Sequence, residues 1–423
     1  MNSVVNISEG NAKEKFWVKS QAARTIKAKN EIFTDYLWVV TKWGFLKRQK
    51  FLLTKKKLYM YMENELDFKN EISICWKTVK PFYESSDQNQ RYGFNLSEGQ
   101  LNKDFYTDSS VHLDQWLFHL SKIGICNDIE DDFDFIKKIG HGTFSLVYLA
   151  IDKSTNKEFA IKAINKSQFS NQNEAKKIIK NEISILRKLN HPGIAKLHKV
   201  YESDGYVYLV FDYLAGDNLC QRIRNKGPYS EKVAVKLMSK LLNILSYLNS
   251  KGVIHRDIKA DNLILVSNEN DEDFKLIDFG IACKTTENME NSCGTPGYIA
   301  PEVLSQRPWS HKADIFGAGI VFYAMLSQRL PFSSKSVNEI IRKNRECSIE
   351  CTGSSWNNIT AQAIETLLKL VQKDPTRRPT ADEALRLPFF TANLINSSFS
   401  SSNSQDRKQK LKRMNCMRRS NIV

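Results

Sequence analysis

Much of what this 423-residue chain can be is narrowed by what it lacks. It has no run of about 18 apolar residues, so no transmembrane helix is expected. The segment MNSVVNISEGNAKEK lacks the basic, apolar and small-residue series of a secretory signal, and none is expected. The eight cysteines (Cys75, Cys126, Cys220, Cys283, Cys293, Cys347, Cys351 and Cys416) are scattered. No CxxC pair occurs, and Cys347 and Cys351 have no histidine nearby to complete a zinc site. A reduced, cytoplasmic chain without structural metal is the expectation. No EF-hand loop is present, so calcium is not expected to bind directly. No internal repeat is visible.

What is present is ordinary in amount and uneven in placement. Apolar residues make up 41% and charged residues 26%, as in a soluble globular protein long enough for two domains. The formal charge is +15, which favours anionic partners in general. Residues 42–57 hold Lys42, Lys47, Arg48, Lys50, Lys55, Lys56 and Lys57 and no acidic residue. A second basic run, Arg407 to Arg419, follows the serine- and asparagine-rich stretch 396–404, which reads as linker. Either run could be a solvated face.

The texture changes along the chain. Residues 1–33 read as a tail or a short helix. From about 34, YLWVV, KFLLT, LYMYM, ISICW and YGFNL are short aromatic and branched segments separated by polar turns, the pattern of antiparallel strands. SSVHLDQWLFHLSKIG then switches to helical spacing, with Val111, Trp116, Leu117, Leu120 and Ile123 able to share a face and Ser109 or Ser110 placed to cap. A small β domain closed by one helix is expected over 34–124, with an acidic linker at 125–132. Strand-like segments dominate from 133 and helical patterns from 231. The tail 391–423 is polar and basic.

Chemistry concentrates in VIHRDIKADNLIL, residues 253–265. Two aspartates, an asparagine, a lysine, an arginine and a histidine sit among apolar neighbours, where polar groups are costly unless satisfied or used. In a loop, Asp257, Lys259 and Asn262 offer a carboxylate base, a cation for phosphate and an oxygen for metal. Asp278, in LIDFG, joins Asn262 as an oxygen pair suited to Mg2+, which takes few protein ligands plus phosphate and water. Upstream, IGHGTFSLVY (139–148) is a glycine strand-turn-strand able to lie over phosphates; alone it is equally a plain hairpin. Ser145 replaces a third glycine and a strand follows, unlike a dinucleotide-binding turn, which opens a helix. Lys162 ends the apolar strand FAIK and needs an anion, which Glu182 could supply.

The joint order of these pieces, with HP at 191–192, GTPGYIAPE at 294–302, KADIFGAG at 312–319 and DPTRRPT at 374–380, resembles the eukaryotic protein kinases over roughly 133–390. The resemblance implies an ATP- and Mg2+-dependent enzyme acting on serine and threonine in protein substrates. Gly140, His141, Gly142, Thr143, Phe144, Ser145, Leu146 and Val147 would cover the ATP phosphates, with Ile139 also binding ATP. Ala160 and Val147 would line the adenine pocket, with Phe211 as gatekeeper and Asp212 to Leu214 as hinge. Lys162 would hold phosphates and pair with Glu182. Asp257 would take or orient the hydroxyl proton, Lys259 would neutralise the transferring group, and Asn262 and Asp278 would hold Mg2+. Glu302 with Arg378 resembles this family's buried ion pair, and Asp314 its brace for the catalytic loop. Arg256 would read a phosphate on Thr285, Thr286 or Ser292; the usual acceptor position holds Asn291. The nearest likeness is to the calcium/calmodulin-dependent group, although Asn218 stands where that group often has a glutamate selecting basic substrates; Asp261 could supply part of that acidity. The rival reading is a catalytically silent scaffold.

Residues 34–124 resemble a pleckstrin-homology domain. That implies a small antiparallel β-barrel or sandwich with a capping helix, ahead of an α+β, bilobal kinase fold. It also implies a role in localising or restraining the kinase. Lys42, Lys47, Arg48 and Lys50 would contact phosphoinositide or another anionic membrane surface, although Gln49 stands where a tight binder has arginine. Nucleic acid is not an expected partner, since the aromatics fall at strand-core spacing. Calmodulin binding to the tail is weakly supported, because large apolar anchors are few there.

Overall fold

The computed structural model describes residues 16–20, 31–62, 67–86, 89–285, 293–306 and 309–391. Two compact units emerge. One holds the described residues up to Lys180 together with Lys196–Tyr213, and the other holds Asn181–Ala195 with those from Leu214 onward. No described helix is long and apolar enough to cross a membrane.

The first unit starts with β1 (Val18–Lys19), β2 (Glu31–Val40), β3 (Leu46–Thr54), β4 (Lys57–Tyr61), β5 (Phe68–Ser73), β6 (Thr78–Ser86), β7 (Asn89–Glu98), β8 (Leu101–Thr107) and α1 (Ser110–Leu120). Alternation builds its core: Leu37 and Val39, Phe51 and Leu53, Leu58 and Met60, and Phe94 with Leu96 point to one side. All pack with Leu113, Trp116 and Leu120 of α1. Trp116 meets Phe33 edge-to-face at 4.9 Å. Ser109 caps α1, accepting from the His112 amide at 3.2 Å.

Several expectations are corrected here. Among the described residues the strands do not close into a barrel: their order is β1-β5-β4-β3-β2-β8-β7-β6, with β1 paired to two residues of β5 and β9 (Ile125–Cys126) to two residues of β6. Val111 is 65% exposed, and the buried phase of α1 runs Leu113, Trp116, Leu120. Within the stretch expected to be a tail, β1 pairs with β5, and Trp17 stacks on Phe51 at 6.2 Å. The expected acidic linker carries β9 and the short helix α2 (Ile129–Asp132).

β9 runs parallel to β6 through Thr78↔Ile125 and to the later strand β13 (Leu197–Glu202) through Tyr201↔Cys126. The sheet therefore continues into β10 (Phe133–His141), β11 (Ser145–Asp152), β12 (Glu158–Asn165) and β14 (Tyr206–Asp212), in the order β13-β14-β12-β11-β10. Helix α3 (Gln172–Leu186) lies between β12 and β13 in the chain, and its Lys180 ammonium sits 5.0 Å from the Trp76 ring.

The second unit is mainly helical: α4 (Leu219–Lys226), α5 (Glu231–Ser250), α6 (Pro301–Leu304), α7 (Lys312–Ser327), α8 (Val337–Glu346), α9 (Ala361–Leu370) and α10 (Ala381–Leu385). Every residue of α7 from Asp314 to Ser327 is buried, as expected of a helix apolar on all sides. Two small antiparallel ribbons frame the polar loop found in the sequence. They are β15 (Val253–Ile254) with β18 (Cys283–Lys284), and β16 (Leu263–Leu265) with β17 (Phe274–Leu276).

Candidate active site

The glycine stretch forms the β10–β11 hairpin, with Gly140 opposite Val147 and His141 opposite Leu146. Gly142 donates its N–H to the Ser145 carbonyl at 2.8 Å, so residues 142–145 make a closed tip. Phe144 stacks on Phe169 at 4.4 Å, which ties that tip to the segment after β12. Lys162 lies on β12 between Val147 of β11 and Leu209 of β14, and Ala160 lies between Leu149 and Phe211. Asp212 closes β14 and contacts His198 at 2.6 Å. Glu182 is buried on α3, and Leu214 follows β14.

In the second unit the loop between β15 and β16 gathers the polar residues. Asp257 is held from three sides: its Oδ1 accepts from the Thr295 hydroxyl at 2.7 Å, and its Oδ2 from Lys259 Nζ at 2.7 Å and Asn262 Nδ2 at 3.1 Å. Lys259 Nζ also reaches Thr295 Oγ1 at 2.7 Å. Asn262 Nδ2 additionally donates to the Asp257 carbonyl at 2.9 Å. The carboxylate is thus anchored to a cation and to the 294–302 loop together.

A buried frame holds that loop. Asp314 of α7 accepts the backbone N–H groups of His255 at 2.8 Å and Arg256 at 2.9 Å. Burial pushes the Asp314 carboxyl above the usual carboxylate range, and His255 and those two amides pull against it. His255 Nδ1 accepts from the Asp257 amide at 3.3 Å, so its Nε2 carries the proton and donates to the Ile277 carbonyl at 3.1 Å. Arg256 has φ +69° and Asp278 φ +59°, a region sparsely used by non-glycine residues. Such backbone survives where surrounding contacts hold it, which for Arg256 are the Asp314 bond and a bond from its Nε to the Ile281 carbonyl. Farther along, Glu302 and Arg378 form a bidentate pair at 2.7 and 3.1 Å.

Residues 133–390 match the protein kinase domain family. The chain belongs to the protein kinase family. Over 259 residues it is 38% identical to "Probable serine/threonine-protein kinase 2" of Plasmodium falciparum (isolate K1 / Thailand), covering 61% of this chain and 50% of that protein. Over 271 residues it is 35% identical to "Myosin light chain kinase A" of Dictyostelium discoideum, covering 64% of this chain and 91% of that protein. The chain thus carries a serine/threonine protein kinase domain, and the match spans half the length of the first of these relatives.

Protein kinases use ATP and Mg2+, and the residues present fit both. The Asn262 amide nitrogen is committed to Asp257, which leaves its carbonyl oxygen to offer a cation. With the Asp278 carboxylate this is a hard-oxygen pair of the kind Mg2+ takes alongside phosphate and water. No group of three or more histidine, cysteine, aspartate or glutamate side chains able to hold a metal ion occurs among the described residues.

The structure gives some residues roles that sequence reading did not reach. Asn218 caps α4, accepting from the Gln221 amide at 2.8 Å while the Gln221 side chain returns to the Asn218 amide. Asp261 lies close enough to Cys220 of α4 that, after burial, its charge helps push that thiol up. Of the three suggested phosphorylation positions, Thr285 extends the β15–β18 ribbon through its N–H to Gly252 O at 3.0 Å, and Thr286 and Ser292 lie outside the described residues. The basic run 407–419 lies outside them too. Arg48 pairs with Asp108 at 3.2 Å and lies over Tyr36 at 4.7 Å, and Lys50 lies near Tyr36 and Tyr61. Asn344 of α8 carries a signal in the sequence: it falls in the inward phase set by Ile340 and Ile341.

Proposed function

We propose that this kinase transfers the γ-phosphoryl group of ATP to serine and threonine hydroxyls of protein substrates. The reading rests on one observation: the Asp257 carboxylate is bonded at once to the Lys259 ammonium and to Thr295 of the 294–302 loop. A base fixed against a cation and a substrate-facing loop is what this chemistry requires of a protein, because phosphoryl transfer depends on positioning and charge more than on covalent steps. Asp257 accepts or orients the hydroxyl proton, and Lys259 offsets charge on the moving group. Lys162 and the β10–β11 hairpin hold the nucleotide. Asn262 and Asp278 would hold Mg2+, which would supply charge neutralisation on the phosphates. Asn218, the cap of α4, carries no charge, and Asp261 supplies part of the acidity that favours basic residues in the substrate, so that preference is weak.

The first domain localises the kinase, in this reading, by touching anionic membrane from the cytoplasmic side. Support comes from the β2–β3 turn, where Trp43 is 75% and Phe45 73% exposed beside Lys42 and Lys47. Aromatic rings suit the headgroup boundary, and neighbouring lysines add attraction to anionic lipid.

The test is phosphate transfer from ATP to a serine/threonine peptide mixture, with and without vesicles containing phosphatidylserine and phosphoinositide. Transfer without vesicles supports the enzyme reading; no transfer under either condition leaves the silent scaffold. Vesicle sedimentation addresses the first domain separately. A Trp43→Ala/Phe45→Ala variant is expected to lose at least about tenfold in vesicle affinity, and raised salt to weaken what remains. Equal sedimentation of variant and parent, or equal binding to neutral phosphatidylcholine vesicles, would remove the membrane role.

A further inference from the structure

We propose that Asn344 is a positioning residue for the protein substrate, acting through the 294–302 loop; the inference rests on the kinase reading above. α8 shows charge to solvent, with Arg342 bonded to Glu339 and Glu346. One of its side chains is fully buried, and it is polar: Asn344, 0% exposed. Its Oδ1 accepts from the Gly297 N–H at 3.1 Å, and its Nδ2 donates to the Ile299 carbonyl at 2.8 Å. One partner is a donor and the other an acceptor, so both ends of the amide are used and its orientation is fixed. A leucine there could fill similar space, but it would leave two backbone groups unpaired in the interior.

The place of these bonds in the chain gives them their meaning. Gly297 holds φ +93°, a conformation suited to glycine. The Tyr298 amide donates to the Thr295 carbonyl at 3.0 Å, so residues 295–298 form one turn. At the head of that turn the Thr295 hydroxyl donates to Asp257 at 2.7 Å. Farther along, Glu302 is clamped by Arg378. The loop therefore has three anchors, and Asn344 supplies the middle one, two residues from the side chain that touches the catalytic carboxylate. Nothing places Asn344 against nucleotide. Its loss should shift where a protein hydroxyl meets Asp257 and leave ATP handling alone.

The experiment compares the full chain with Asn344→Ala, and with Asn344→Gln, which keeps both polar groups one methylene farther out. Three readouts are taken: peptide kcat/KM, peptide-independent ATP hydrolysis with its KM for ATP, and amide exchange at Gly297. The expected result for Asn344→Ala is faster Gly297 exchange and a peptide kcat/KM lower by about 10- to 100-fold, since misplacement near 1 Å costs on that order. ATP hydrolysis and the KM for ATP stay within about twofold of the parent. Asn344→Gln is expected to fall between the two, and it serves alone if the alanine variant does not fold. Unchanged Gly297 exchange overturns the proposal. So does unchanged peptide kcat/KM with quickened exchange, and so does a parallel fall in ATP hydrolysis, which marks a merely structural role. A parent chain that phosphorylates no peptide ends the kinase reading and this role with it. An active parent matched by its variants overturns the positioning role alone.

Discussion

Asp257→Asn should lower peptide phosphorylation by about 1,000-fold or more while the protein stays folded and still binds ATP; positioned acid–base groups contribute about 100- to 10,000-fold in general. Asparagine is nearly the same shape, so the packing of the loop is preserved. The chemistry is not. Both carboxylate oxygens now accept: one from Thr295 and the other from Lys259 and Asn262. An amide nitrogen can accept from none of them. It would instead present its own hydrogens to a hydroxyl or an ammonium. Lys259 would lose its counter-charge at 2.7 Å, and the substrate hydroxyl its proton acceptor. A factor of 1,000 corresponds to about 4 kcal/mol of transition-state stabilisation. Thermal melting and nucleotide binding, measured beside kinetics, separate this from unfolding. A rate within about tenfold of the parent would mean that the base lies elsewhere, and the scaffold reading would gain from any cellular role that Asp257→Asn left intact.

Arg378→Ala should be the most damaging single change to stability in the second unit. Arg378 is 1% exposed and Glu302 4%. The guanidinium makes two bonds to that carboxylate, donates to the Gln372 carbonyl at 2.8 Å and the Lys312 carbonyl at 2.7 Å, and lies 5.0 Å from the Phe316 ring. Truncation leaves a buried carboxylate without its cation, which typically costs about 3–5 kcal/mol. For a domain of this size that is a fall in Tm of about 6–20 °C. The carboxylate anchors the far end of the 294–302 loop, so activity should fall before melting begins. Glu302→Leu combined with Arg378→Met should recover part of the loss, because a buried pair replaced on both sides by apolar groups is often tolerated. A drop below about 1 kcal/mol for Arg378→Ala would show that water reaches the pair and that the loop does not depend on it.

How much of this could be read beforehand depended on what kind of information each feature needs. The strands of the first domain were legible because alternation is a local signal: Leu37 and Val39, or Phe51 and Leu53, announce one buried face wherever the strand ends up. The Trp116 helix was legible for the same reason, with Ser109 marking its start. Its exact phase was not. Val111 and Leu113 are both apolar near the helix start, and only packing against the sheet decides which faces inward. Whether the sheet closes as a barrel or packs as a sandwich is not legible in the sequence, because pairing of edges is a long-range event. β1 and β9, two residues each, are too short to signal, yet they pair with β5 and β6 at the ends of the strand order.

The sequence by itself determined which residues carry the resemblance to protein kinases. Asp257, Lys259, Asn262 and Asp278 stand at a spacing legible in the chain itself, although of the four Asn262 is buried and Asp278 is exposed. Tertiary structure alone decided how that chemistry is held. Thr295 lies 38 residues from Asp257, Asp314 lies 59 from His255, and Glu302 lies 76 from Arg378. Asn344 reaches a loop 47 residues away from a helix whose other side chains are all at least partly exposed. Hydrogen bonds between such distant residues leave no periodicity in the chain, because their partners are chosen by where the helices and ribbons pack.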